Sequence, residues 1–151
     1  KLFENNAFQS PAKKVYSQIF ELSEFLVKIL GITELGASFN GKATFHDSCA
    51  GLRECNIKAE PRALLSQVEG LELVEMNDTE TCCGFGGSFA VKYDTISVAM
   101  ADQKIDNAIA TEAEFIISTD ISCLMHLDGR INHHGQQIKV IHLADILASG
   151  Y

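Results

Sequence analysis

The sequence predicts an α/β domain: a mainly parallel sheet of about four strands flanked by helices, with its site at the carboxyl edge of the sheet. Three observations carry this expectation. Short runs rich in β-branched and aromatic residues, at 42–46, 71–75, 114–119 and 138–141, alternate with stretches whose apolar residues recur at helical steps. A strand reached only through an intervening helix pairs in parallel, because a hairpin is too short to hold that helix. The chain has 151 residues, 46% of them hydrophobic, enough for one domain (residues 1–151) with its own core.

Taken in order, residues 12–30 read as one long amphipathic helix, with Val15, Ile19, Leu22, Leu26 and Ile29 in a stripe and Gly31 as the stop. Residues 32–41 connect it to a strand at 42–46 carrying Ala43 and Phe45. Pro61 suits the first turn of a helix containing Ala63, Leu64, Leu65 and Val68 that ends near Gly70. A second strand follows at 71–75. The run Cys82-Cys83-Gly84-Phe85-Gly86-Gly87 is a loop, since three glycines in four residues suit neither helix nor strand. Residues 97–111 are helical in pattern through Met100, Ile105, Ala108 and Ile109, and 114–119 is a buried strand with Phe115, Ile116 and Ile117. Asp120 or Ser122 caps the next helix, which runs through Leu124, Leu127 and Ile131 to Gly135. A last strand at 138–141 and a short helix at 143–147 complete the chain.

Composition narrows the function. The formal net charge is -8 and no stretch clusters Lys and Arg, so neither nucleic acid nor anionic lipid is an expected partner. No apolar run approaches the roughly 20 residues that span a bilayer. Residues 1–6 have no signal-peptide character, and the expected location is the cytoplasm. The first residue is Lys1 rather than Met, which reads as a fragment of a longer protein.

Five cysteines without a secretory signal argue against a disulfide framework and for a metal or catalytic site. Cys49 follows the first strand, Cys82 and Cys83 follow the second, and Cys123 follows the third at a helix start. In a parallel sheet these strand ends share one edge, so thiols distant in sequence converge. A helix N-terminus favours the thiolate that a metal requires. Gly84, Gly86 and Gly87 allow backbone N–H groups to approach an inorganic sulfide. Structural burial explains one or two thiols but not an adjacent pair in a glycine loop. A vicinal Cys82–Cys83 disulfide is the rarer alternative. The spacing is neither a zinc knuckle nor a ferredoxin run.

His46-Asp47-Ser48-Cys49, Cys82-Cys83-Gly84-Phe85-Gly86-Gly87, Lys92-Tyr93 and Cys123-Leu124-Met125 together resemble the CCG cysteine-rich domain of the (Fe–S) oxidoreductase family. The likeness spans Glu4 to Ile146. It is greatest to lactate utilization protein A and the glycolate oxidase iron–sulfur subunits, with the CCG-bearing component of heterodisulfide reductase as a relative. The resemblance implies a C-terminal half of a two-module protein. It implies a [4Fe–4S] cluster on Cys49, Cys82, Cys83 and Cys123, relaying electrons from a 2-hydroxy acid such as L-lactate. Partners would be other subunits of a lactate- or glycolate-oxidising complex and an acceptor protein or quinone-linked partner. The alternatives are a zinc-stabilised assembly module and a heterodisulfide-reductase-like thiol–disulfide enzyme. The family pattern ends in C-x₂-C, whereas here Leu124, Met125 and His126 follow Cys123. The heterodisulfide reductase module binds a [4Fe–4S]-type cluster of non-cubane form, and the departure argues against that form here.

His126 is a candidate substitute ligand, against the commoner reading of a helix-face histidine. His46 reads as a satisfied core histidine, with a sulfide contact or proton relay as the alternative. Cys55 reads as a bystander thiol, Arg53 as an exposed arginine, and His133-His134 as a solvated pair facing different ways. The glycine loop lacks the dinucleotide and Walker fingerprints, and neither G-x-S-x-G nor H-E-x-x-H occurs. Flavin or nicotinamide would sit on another subunit.

Overall fold

The chain enters the fold through two helical pieces rather than the single helix expected over residues 12–30. A computed structural model describes residues 7–150. Residues 1–6, which lack signal-peptide character in sequence, lie outside the described residues, as does Tyr151. Helix α1 covers Gln9–Tyr16 and α2 covers Leu22–Glu24, which continues into a π-helical turn at Phe25–Ile29. The wider turn shows in the Leu30 N–H, which donates to the Phe25 carbonyl at 3.0 Å. The break has a local cause. Glu21 is extended, and its carboxylate accepts from the N–H groups of Ser23 and Glu24, starting a new helix there. The apolar stripe is not core either: Val15, Ile19, Leu22 and Ile29 are exposed, while Leu26 and Val27 pack against the interior.

Strand β1 (Ser38–Phe45) is followed by α3 (Cys49–Arg53), α4 (Ala59–Leu65) and β2 (Glu69–Val74). Then come α5 (Ser88–Lys92), α6 (Asp94–Ile109), β3 (Phe115–Ser118), α7 (Ile121–His134), β4 (Lys139–His142) and α8 (Leu143–Leu147). The expected strands and later helices are all present, with ends displaced by a few residues; the short helices α3 and α5 were not foreseen. Asp120 is the cap of α7, accepting from the N–H groups of Ser122 (2.9 Å) and Cys123 (3.4 Å). Gly135, at φ 64°, ends that helix in the left-handed conformation that costs other residues a Cβ clash.

The sheet is parallel throughout, in the order β2-β1-β3-β4. Thr44 of β1 stands between Val74 of β2 and Ile116 of β3. One face of the sheet buries Ala43, Phe45 and Ile117 against Leu64 and Leu65 of α4 and Leu143 and Ile146 of α8. The other buries Ile116 against Ala101 and Ile105 of α6 and Leu127 and Ile131 of α7. Helices therefore cover both faces, as a parallel sheet requires. From β1 the chain winds outward to β2, and from β3 it winds the opposite way to β4. The reversal falls between β1 and β3, and such a reversal opens a crevice beyond the carboxyl ends of the two strands. No helix among the described residues is long and apolar enough to cross a membrane.

Candidate metal centre

The loop after β1 is fixed before it reaches its cysteine. The His46 N–H donates to the Ile117 carbonyl of β3 at 2.8 Å, and the Asp47 N–H donates to the Thr79 carbonyl at 3.2 Å. The Asp47 carboxylate is buried and takes two bonds from the Arg62 guanidinium of α4, both at 2.9 Å. Arg62 also donates to Glu75 at 2.6 and 2.9 Å and lies over the Phe45 ring at 4.9 Å. Burial pulls the Arg62 pKa down, but Glu75 and Asp47 outweigh it and raise it above the usual value. Ser48 then caps α3, its Oγ accepting from the Gly51 N–H at 3.0 Å, so Cys49 occupies the first helical position.

The double-cysteine loop is held against α6. Gly84 has φ +91°, and a Cβ there would lie 2.4 Å from the Ser97 carbonyl oxygen. The absence of a side chain thus lets the loop press onto the helix backbone. Ser97 Oγ donates to the Gly84 carbonyl at 2.7 Å. His126 Nε2 stands 3.2 Å from the same Oγ, whose proton is already committed, so that ring nitrogen is assigned as the donor. The Gly84 N–H donates to Cys82 Sγ at 3.3 Å, the kind of amide-to-sulfur bond expected of this loop. Lys104, 1% exposed, reaches from α6 to the carbonyls of Asp78 and Thr79 and anchors the segment ahead of the cysteines. Burial lowers its pKa, against the opposing pull of Asp78, Asp47 and the nearby thiols.

At the carboxyl edge Cys83 lies beside Cys123, and Cys49 lies beside Cys82. Cys83 and Cys123 are buried, Cys49 and Cys82 are half-buried, and all are free. Cys83 is held well below the ordinary thiol range by the neighbouring Cys123, against the opposing effect of burial, with help from His46 and the Phe85 N–H. Cys123 is raised in turn, first by Cys83 and then by burial. The two opposite shifts favour the thiolate on Cys83 over Cys123. Cys49 is raised by burial and by Cys82 beside it.

A metal-binding group fits this donor set on two counts. Two buried sulfurs stand side by side, and the shift of Cys83 favours the thiolate, the ligand form. The other count is His46. It is fully buried, and neither ring nitrogen makes a hydrogen bond of regular geometry, although the ring lies close enough to Cys83 to favour its thiolate. This corrects the expectation of a satisfied core histidine: the ring is core in burial but not in bonding. One His46 ring nitrogen, Cys83 Sγ and Cys123 Sγ all lie within 4.8 Å of one another.

The remaining candidates lie elsewhere. His126 sits behind the glycine loop, between Ser97 and the Phe85 ring (6.1 Å between centroids). Cys55 is exposed; partial burial and then Glu21, Glu24 and Glu54 raise its pKa. Arg53 is exposed as expected. His133 and His134 are exposed, but their rings meet edge-on at 5.4 Å instead of diverging, and His134 contacts Asp102 and Arg130. A Cβ at Gly86 would meet Phe89 at 2.8 Å, whereas one at Gly87 would meet open space. Sequence reasoning missed Arg62, Ser97 and Lys104, whose roles depend on contacts between distant segments. The Ser48 cap was missed too, although a serine ahead of a helical turn is a capping signal that could have found it.

Comparison with known proteins agrees with this picture. Residues 43–128, more than half of the chain, match the family model described as CCG, cysteine-rich domain. The chain is 41% identical over 150 residues to lactate utilization protein A of Exiguobacterium sp., covering 99% of this chain and 61% of that protein. It is 42% identical over 147 residues to lactate utilization protein A of Macrococcus caseolyticus, covering 97% of this chain and 60% of the relative. It is 40% identical over 148 residues to the uncharacterized protein YkgE of Escherichia coli, covering 98% and 62% respectively. The chain thus spans about three-fifths of the length of these curated relatives. With the double-cysteine loop, the converging thiols and the family match in agreement, this chain belongs to the CCG cysteine-rich domain family.

Proposed function

We propose that this chain is an iron–sulfur electron-transfer module of a cytoplasmic complex that oxidises a 2-hydroxy acid, L-lactate first among the candidates. The observation that carries the reading is the convergence of thiols from three strand ends at one sheet edge, where Cys123 and His46 favour the Cys83 thiolate. The name lactate utilization protein A, borne by relatives that match nearly the whole chain, supports lactate as the candidate substrate. Cys49, Cys82, Cys83 and Cys123 are the proposed ligands of a [4Fe–4S] cluster. Bound there, a cluster supplies one-electron transfer. The chain's own part is to present the thiolates, donate backbone N–H groups from Gly84 and Phe85 to sulfur, and exclude water with the apolar residues around Cys83 and Cys123. Donors to sulfur favour the reduced, more negative state and raise the potential. Other subunits and a protein or quinone-linked acceptor complete the path.

The second reading is a zinc-stabilised assembly module, favoured by the closeness of His46, Cys83 and Cys123. A potentiometric titration of the anaerobically reconstituted protein tests the first. The expected outcome is a reversible one-electron change in visible absorption, lost in Cys82→Ser and kept in Cys55→Ser. A protein with no reducible chromophore, or one in which Cys55→Ser is the damaging change, contradicts it.

A further inference from the structure

We propose that His46 is a direct metal ligand, its imidazole joining Cys83 and Cys123 on one metal atom. The inference rests on the reading of this edge as a metal centre and adds a nitrogen to a set that sequence spacing gives as all sulfur.

His46 stands apart by what its ring lacks. A neutral imidazole carries one N–H donor and one acceptor nitrogen. Burying either without a partner is costly, and nearly all buried polar groups avoid it. The neighbours of His46 do avoid it. Asp47 takes the Arg62 fork, Ser48 caps α3, and Ser118 Oγ donates to the His46 carbonyl at 2.9 Å. The ring's own nitrogens are among the few buried side-chain polar atoms left unpaired in the described residues.

The ring is also placed with care. The backbone of His46 is tied at both its N–H and its carbonyl to β3, at Ile117 and Ser118, so the residue is set by the sheet and not by a mobile loop. From there a ring nitrogen lies within 4.8 Å of both Cys83 Sγ and Cys123 Sγ. Two ligands of one tetrahedral metal, bonded at about 2.0–2.3 Å, stand roughly 3.3–3.8 Å apart. The three donors come from three different strand ends and need only a small closure to reach that separation. Imidazole with thiolates suits a borderline divalent ion such as zinc, and equally an iron atom of a cluster. The shared chemistry is a mixed nitrogen–sulfur shell.

The test reads the shell directly, on zinc-loaded protein and on protein reconstituted with iron and sulfide. In the zinc arm, X-ray absorption is expected to show imidazole scattering that disappears in His46→Gln, with zinc affinity falling at least tenfold. His46→Cys, which restores a ligand, is expected to bind zinc in an all-sulfur shell at near-parental affinity. In the iron arm, pulsed EPR of the reduced centre is expected to show a strongly coupled ¹⁴N that His46→Gln removes. Nitrogen in one arm alone identifies which metal His46 holds. Zinc or iron bound in an all-sulfur shell in both arms overturns the assignment of His46 while leaving the metal centre standing. A parent that takes up neither metal overturns both, and circular dichroism of each variant separates lost ligation from lost fold.

Discussion

Arg62 and Gly84 illustrate how single residues hold the centre without belonging to it. Asp47 has a 2% exposed side chain, and its carboxylate depends on the Arg62 fork. Removing one partner of a buried pair leaves an uncompensated charge, at a cost of about 3–5 kcal/mol. Arg62→Ala is therefore expected to lower the denaturant midpoint sharply, and Arg62→Lys to recover only part, because a lysine cannot reproduce two parallel bonds. Equilibrium urea unfolding checks both. At Gly84 the constraint is steric. Gly84→Ala combines a positive φ with a Cβ 2.4 Å from the Ser97 carbonyl oxygen, and the strain costs about 1–3 kcal/mol or more. Thermal unfolding and iron uptake should fall together in that variant. The cysteines were visible in the sequence because their types and spacing carry chemistry. Arg62 was not, because its meaning lies in Asp47, fifteen positions earlier and joined to it only through the fold.

Among the elements, the strands and the helices around 97–109 and 121–134 were legible because periodicity, caps and stops agreed: Asp120 opens α7 and Gly135 closes it. The N-terminal helix was misread for the opposite reason. Apolar residues at helical spacing predicted one helix, but Glu21 caps a new helix and the stripe faces outward. Local capping chemistry prevailed over periodicity. Helix α8 shows a cap that sequence rules overlook: His142 Nδ1 accepts from the Ala144 N–H at 3.1 Å, and Nε2 faces the Thr119 carbonyl at 3.1 Å. Helices α6 and α7 are tied by Arg130, which donates to both Asp102 oxygens at 2.9 and 2.8 Å. Arg130, more than His134, holds the Asp102 pKa below the usual carboxylate range. A carboxyl depressed in the fold adds stability above its unfolded pKa and loses it as pH falls through its folded value. Asp102→Asn is expected to cost about 0.5–1 kcal/mol at neutral pH, since the pair is partly solvated. That difference should shrink toward zero as urea unfolding is repeated at successively lower pH. A constant difference down to acid would mean that packing, not charge, links the two helices.

For the whole molecule, alternating strands and helices pointed to the parallel sheet, and the sheet alone explains why thiols more than 70 positions apart share one edge. What the sequence did not reveal was the order β2-β1-β3-β4, which sets the winding reversal between β1 and β3, the two strands that lead to His46 and Cys49 and to Cys123. Nor did it show that His46 is buried unpaired, since a histidine at a strand end reads equally as core. The central claim is that this edge holds an iron–sulfur cluster. Its most direct test is the iron, sulfide and zinc content of protein purified and reconstituted without oxygen. The expected result is about four irons and four sulfides per chain, as a [4Fe–4S] centre requires. One zinc per chain with no uptake of iron would contradict it and leave this domain as the zinc-stabilised module of its complex.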